Sequence, residues 1–384
     1  MLIVNIQALG DLVVFTSVLK HYKKRFSDQE IFLLIKRGTG AEQLLAPFAD
    51  RVLMLDYRKF SVNPFYGLRF INGLRGIGFK KVVNQDWSAA EIMGEIISVS
   101  VGAEETVCYE GLLSEFREPF DFNHRKNMEI VKHNIHPRYT KIIPSIDSGV
   151  SKSGELFSSV RQYAAVYEGA MGFRESDYAT EIPVVLDEGE ATAFLGRFGL
   201  SAGAYAILNV NASVDYKRWP LARFAEVAKF LDKDGFKIVL TGSRSERAMT
   251  ERFEKMCSVL CVNLAGATSL SELVIALKNA ALVFTNDTSM AHLAVALKKP
   301  LLCVTGGGHF GMFSNYGYAS LHRWAYTKLP CYGDNWHCGR ALPADTPAPC
   351  LNAVSTEMAL AELRDLIQTI KKDPRPRAGE KFRY

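Results

Sequence analysis

No stretch of the 384-residue chain approaches the ~20 consecutive apolar residues that a membrane-spanning helix requires. Its first residues, MLIVNIQALGD, lack the basic start, apolar stretch and small-residue cleavage site of a secretion signal, so a cytoplasmic location is expected. The seven cysteines are an odd number in a chain without such a signal, which argues against a disulfide framework. Charge of one sign is scarce too. The net charge is +5, and the last fourteen residues, KKDPRPRAGEKFRY, hold six cations against Asp373 and Glu380, leaving the rest nearly neutral. That tail reads as a solvated end, and it would also suit an anionic lipid or acidic glycolipid on the inner membrane face. No nucleic-acid-binding motif is present. Also missing is G-x-G-x-x-G, whose extra glycines let a pyrophosphate approach the first turn of a dinucleotide-binding fold. Here that turn reads Ala8-Leu9-Gly10-Asp11, with a carboxylate where the phosphate would sit.

What is present is an apolar content of 48% and a length that suits two domains. Short apolar runs (LIVNI, IFLLIK, RVLMLD, KKVVNQ) alternate with amphipathic ones such as DLVVFTSVLKHYKKRF, the pattern of an α/β protein with parallel sheets. The middle, about 122–183, reads mainly helical and ends in the acidic, proline-bearing stretch ATEIPVVLDEGEATAFLGRFGL. A second strand–helix series follows: AYAILNVNAS, RFAEVAKFLDKDG, FKIVLTGS, SLSELVIALKNA, ALVFTND, SMAHLAVALKKP, LLCVTGG. These patterns predict two Rossmann-like doubly wound domains, 1–183 and 184–354, then an amphipathic helix over 355–372 capped by Ser355 or Thr356, and a basic tail over 373–384.

In doubly wound sheets ligands bind beyond the C-terminal ends of the strands. Four such loops in the second half bear candidates: Asn211, Ser213, Lys217 and Trp219; Gly242, Ser243 and Glu246; Asp287, Thr288, Ser289, Met290 and His292; and Gly306 to Gly308. Asn286-Asp287-Thr288-Ser289 lies between an apolar strand and an alanine-rich helix. The backbone N–H groups and positive dipole end there, with the two hydroxyls, make a phosphate site, and Lys217 would neutralise a diphosphate. The same residues also fit plain capping, with His292 packed inside. Glu246 suits either ribose hydroxyls or a solvated first turn, and the glycines suit either close backbone approach or turns. Cys108, Cys257, Cys261 and Cys303 read as buried small hydrophobes. Cys331, Asp334, Cys338 and Cys350, with His337, could hold a metal or form a reduced, packed loop, and packing is the favoured reading.

Taken in order, ALGD after the first strand, KRWP, LAGATSLSEL, and NDTSMAHLA followed by KKPLLCVTG resemble the family 9 glycosyltransferases, typified by the ADP-heptose lipopolysaccharide heptosyltransferases. The resemblance implies the GT-B architecture, two facing Rossmann-like domains across a cleft. The first would bind a saccharide or glycolipid acceptor and the second a nucleotide-diphosphate sugar, with the final helix returning to the first. It implies inverting transfer without metal or other cofactor, with Asp11 as base. Ser213 and Lys217 would contact the diphosphate, and Asp287, Thr288, Ser289, Met290 and His292 would form the donor loop. The family usually carries Asp-Thr-Gly where this chain has Asp287-Thr288-Ser289, and a Cys-x-x-Cys in the late loop where Cys331 is followed by Asp334. The acceptor half offers Asn84, Gln85, Asp86 and Trp87 without a decodable pattern. Two other classes stay open: a nucleotide-dependent epimerase or oxidoreductase, disfavoured by the missing glycine motif, and a catalytically silent sugar-nucleotide-binding or assembly protein.

Overall fold

The computed structural model of the chain describes residues 1–86, 92–111, 126, 129–146, 158–377 and 379–384. Two compact units divide between Thr180 and Glu181. The first holds a parallel sheet of six strands: β1 (Leu2–Val4), β2 (Phe32–Lys36), β3 (Arg51–Leu55), β4 (Lys81–Asn84), β5 (Glu105–Tyr109) and β6 (Lys141–Ile143), in the order β3-β2-β1-β4-β5-β6. The second repeats the plan with β7 (Tyr205–Asn209), β8 (Lys237–Leu240), β9 (Cys261–Asn263), β10 (Leu282–Asn286), β11 (Leu301–Val304) and β12 (His322–Ala325), in the order β12-β11-β10-β7-β8-β9. All the strand pairs are parallel, in registers such as Ile3↔Val83 and Val283↔Ile207. The central strands are short continuous apolar runs because helices cover both faces; β7 and β10 have no exposed residue. This is the α/β architecture of the GT-B class.

Helix Leu9–Arg25 buries Leu12, Phe15, Val18, Leu19 and Tyr22, the helical stripe expected from their spacing. In the second unit Trp219, Phe224 and Phe284 pack with ring centroids 5.2–5.8 Å apart and centre the core. The acidic stretch before β7 includes a helix. Asp187 caps Glu188–Arg197 by accepting the Glu190 N–H at 2.8 Å.

Two expectations for the C-terminal end differ from the structure. Helix Thr356–Lys372, capped by Ser355, places Leu363, Leu366 and Ile367 in the core of the second unit, whereas a return to the first was expected. The tail is docked rather than solvated. Gly317 and Arg383 exchange backbone hydrogen bonds at 3.0 Å, and the Phe382 ring lies 5.2 Å from that of Tyr318. Glu380 accepts the Ser320 N–H at 2.9 Å, and Lys371 pairs with Asp234 at 3.0 Å. Aromatic contact and these partners outweigh the solvation that the tail's charge and two prolines suggested.

Candidate functional site

In the second sheet β7 and β10 are neighbours, although β8 and β9 lie between them in the chain. The connections leaving them run toward opposite edges, which opens the crevice where this fold binds ligands. One side chain fixes both loops. Buried Asn286, the last residue of β10, donates from Nδ2 to the Asn211 carbonyl at 3.0 Å and accepts the Trp219 N–H at 2.9 Å. The Trp219 indole N–H in turn reaches the Val354 carbonyl at 2.9 Å. The tryptophan of KRWP and the asparagine of TND are thus two ends of one clamp, which sets Lys217, in the turn Asp215–Lys217, against the loop after β10. Ser213 stands exposed on the same β7 loop.

Asp287 is partly buried. Desolvation raises its carboxyl to about 6, against the attraction of Lys217 and a hydrogen bond from Thr305 Oγ1 at 3.4 Å. Thr288 is the cap of helix Ser289–Ala296, its hydroxyl accepting the Met290 N–H at 3.3 Å. Ser289 has no positive φ, so a serine fits this backbone where the family usually has glycine. His292 belongs to the packing. It is buried against Phe313 and Tyr316, its Nδ1 lies 2.6 Å from the Tyr316 hydroxyl, and burial lowers it to about 4, so the ring is neutral. Met290 is buried as well. Of the five donor-loop candidates, then, Asp287, Thr288 and Ser289 are the accessible ones, and the other two hold the helix in place.

The glycine triplet after β11 is explained by neighbours rather than by a phosphate. A Cβ at Gly306 or Gly308 would overlap the Trp336 ring, and one at Gly307 would overlap Tyr332. Trp336 and Asn335 both adopt left-handed backbone, φ 60° and 53°, which is costly for a large side chain. The bend turns the Trp336 ring onto the glycines and under Lys217, whose Nζ is 5.1 Å from the ring centroid. His309, half-buried and lowered to about 3 by desolvation and by Lys217, lies 2.8 Å from Asn335 Oδ1. These aromatic and amide neighbours went unread in the sequence; the signal available was three glycines in a row with tryptophan in a cysteine-bearing loop.

In that loop the donor atoms of Cys331, Asp334 and Cys338 lie within 4.8 Å of one another. The Asp334 carboxylate also accepts the Trp336 and Cys338 N–H groups at 2.9 and 3.2 Å. Cys350 instead accepts the Gly307 N–H at 3.2 Å, and His337 stands outside the set. Gly242 packs on Asn211 Nδ2, which leaves no room for a Cβ. Glu246 is engaged in a capping box, its Oε2 accepting the Ser243 N–H at 2.6 Å.

In the first unit the corresponding switch point lies between β1 and β4. Asp11 sits in the first turn of helix Leu9–Arg25, partly exposed, and the cap residue Ala8 offers no side-chain oxygen. Behind it Gln7 Nε2 donates to Asp86 Oδ1 at 2.5 Å, and the buried Gln85 donates to the Tyr22 hydroxyl at 2.6 Å. Asn84, Gln85 and Asp86 therefore scaffold the loop, while Trp87 lies outside the described residues.

A sequence profile of glycosyltransferase family 9 (heptosyltransferase) matches residues 151–331, the span that contains Asn286 and the loops after β7, β8, β10 and β11. Over that span, just under half of its length, the chain is similar to the family 9 heptosyltransferases. Lipooligosaccharide heptosyltransferase 2 of Haemophilus influenzae is 35% identical over 94 residues, 23% of this chain and 27% of the relative. Lipopolysaccharide heptosyltransferase 2 of Salmonella typhimurium is 33% identical over 128 residues, 32% of this chain and 36% of the relative. The chain thus spans about a quarter to a third of the length of these curated relatives. A solved family 9 glycosyltransferase from Veillonella parvula superposes with a TM-score of 0.70 at 18% identity, covering 96% of this chain and 97% of that one. At that identity the superposition establishes the fold alone. Among the described residues, no helix is long and apolar enough to cross a membrane.

Proposed function

We propose that this chain transfers a sugar, heptose or a similar one, from a nucleotide-diphosphate sugar to a hydroxyl of a saccharide or glycolipid acceptor in lipopolysaccharide or related surface-glycan synthesis. The observation that carries this is the meeting of Lys217 with Asp287 and the capped helix start at Thr288, held together by Asn286. A diphosphate leaving group gains negative charge as its bond to the anomeric carbon breaks. A fixed cation and a helix N-terminus meet that charge without a divalent ion, and Ser213 adds a hydroxyl donor. Met290 and His292 serve the donor by fixing the helix, Gly242 by holding the neighbouring loop, and Glu246 keeps one carboxylate oxygen for a ribose hydroxyl.

The first unit supplies the acceptor and the base. Asp11 takes the acceptor proton as the hydroxyl oxygen attacks the anomeric carbon, so a single displacement inverts the centre. The Asp11→Asn variant keeps the helix start and loses the base. With a nucleotide-sugar donor and a saccharide acceptor, its turnover falls by at least about a hundredfold, with no more than about 0.5 kcal/mol lost in stability. Near-normal turnover would remove Asp11 from the mechanism, and donor binding without transfer by the native chain would favour the silent binding protein.

A second surface bears on location. Segment 56–81 carries six cations (Arg58, Lys59, Arg69, Arg75, Lys80 and Lys81) against the single acid Asp56. Beside them Phe65, Val62 and Leu68 are 82%, 74% and 61% exposed. On helix Pro64–Ile77 the outward stripe mixes Phe65 and Leu68 with Arg69 and Arg75. A second copy of so basic a face would repel it, whereas an anionic bilayer attracts the cations and takes up the rings and aliphatic chains. This face, rather than the docked tail, is the proposed contact of a cytoplasmic enzyme with the membrane that bears its acceptor.

A further inference from the structure

The first unit buries three side chains that the transfer reaction does not use. Glu95 lies on helix Ile92–Ser100, Cys108 in β5, and His136 in the turn His136–Arg138 that leads into β6. Glu95 and Cys108 have no exposed surface and His136 has 5%. Their donor atoms fall within 4.8 Å of one another. One oxygen of the carboxyl is satisfied, since the Tyr139 hydroxyl donates to Glu95 Oε2 at 2.6 Å while receiving Asn84 Nδ2 at 3.3 Å. The other oxygen, Glu95 Oε1, has no hydrogen-bond partner, and neither has His136 Nε2. Buried polar atoms are normally paired, and two orphaned atoms on residues of one cluster call for a missing partner. Carboxylate, thiolate and imidazole are ligands that zinc accepts at 2.0–2.3 Å, which places donors about 3.3–3.8 Å apart in a tetrahedral shell. Closing the present cluster to that spacing takes side-chain shifts of about 1 Å.

We propose that Glu95, Cys108 and His136 hold a zinc-type divalent ion as a structural staple. The ion ties the helix after β4, strand β5 and the turn into the edge strand β6, so it braces the end of the sheet that has only one neighbouring strand. Tyr139 orients the Glu95 carboxylate through the bond to Oε2. The site belongs to the first unit and takes no part in stabilising the leaving diphosphate.

The test uses the full chain with the late-loop cluster removed, the Cys331→Ser/Cys338→Ser double variant. After incubation with zinc and desalting, elemental analysis is expected to find about one zinc per chain, and exchange for cobalt(II) to give a thiolate-to-cobalt charge-transfer band. A strong chelator should then lower the melting temperature. Adding Cys108→Ser, or separately His136→Gln, should abolish both the band and the retained metal. If those variants do not fold, the double variant decides alone. Absence of retained metal in it, or cobalt bound without the thiolate band, overturns the proposal.

Discussion

Replacing Asp287 by asparagine should make the protein more stable while impairing it as a transferase. The carboxyl sits at about 6 in the folded chain against an ordinary 3.8, because burial disfavours the anion more than Lys217 and Thr305 favour it. The folded value is raised, so at low pH, where both states are protonated, the group contributes nothing. As pH climbs from about 4 to about 6 the unfolded chain gives up the proton first, and folding loses stability. Above the folded value the penalty is fully present. Two pH units correspond to about 3 kcal/mol, and the partial exposure of the residue reduces this to about 2 kcal/mol. An asparagine avoids the penalty and can still accept from Thr305 Oγ1. The second unit of the Asp287→Asn variant should therefore melt about 4–8 °C higher at about pH 8 and gain roughly half as much at about pH 5. Paired thermal or urea unfolding at the two pH values reads this directly. Equal stability at about pH 8, or a gain that does not shrink on acidification, would refute the reasoning.

Removing the cation by Lys217→Ala should weaken binding of a nucleoside diphosphate by about ten- to a hundredfold, read by calorimetric titration, and leave nucleoside affinity nearly unchanged. Gly308→Ala pushes a methyl group into the Trp336 ring and should cost about 1–3 kcal/mol, measured as a fall in urea midpoint, with donor affinity dropping as the ring under Lys217 shifts. The Phe65→Asp/Leu68→Asp variant should lose co-sedimentation with phosphatidylglycerol-rich vesicles while melting like the native chain. Native retention should fade with salt and be missing with phosphatidylcholine, and retention that ignores both lipid charge and salt would count against the proposed face.

The strands legible in the sequence are those with sheet on both sides, except β5, together with β3. Their apolar runs need no polar face, so LIVNI, KKVVNQ, AYAILN and ALVFTN stand out. Of the unread strands, β6, β9 and β12 lie at sheet edges and are three or four residues long, while β5, Glu105-Thr106-Val107-Cys108-Tyr109, mixes an acid and a threonine into its run. Cys261-Val262-Asn263 has no fully buried residue and His322-Arg323-Trp324-Ala325 alternates with charge, so neither resembles a core strand. Helix Glu188–Arg197 was unread for a related reason: it buries only Phe194. At the site, Lys217 and Asp287 to Ser289 were recognisable from their places after strands. The functions of Asn286 and His309 depend on partners 26 to 75 residues away, as in Asn286 to Trp219 and Asn211 and His309 to Asn335, and that of Trp336 on the distant Gly306, Gly308 and Lys217; no local pattern announces such partners. Cys108 had been read as a small hydrophobe, since nothing nearby in sequence shows that Glu95 and His136 converge on it.

The glycine triplet after β11 also bears on how this chain can change over generations. Its three positions are shaped by Tyr332 and Trp336, so a mutation at one partner alters what is tolerated at the other. Homologues that keep both aromatics should keep all three glycines, and homologues with a different late loop should be free to carry alanine or serine there. Such paired variation would separate a glycine-rich stretch moulded by its own protein from one moulded by a phosphate, because only the former should vanish together with a segment more than twenty residues downstream.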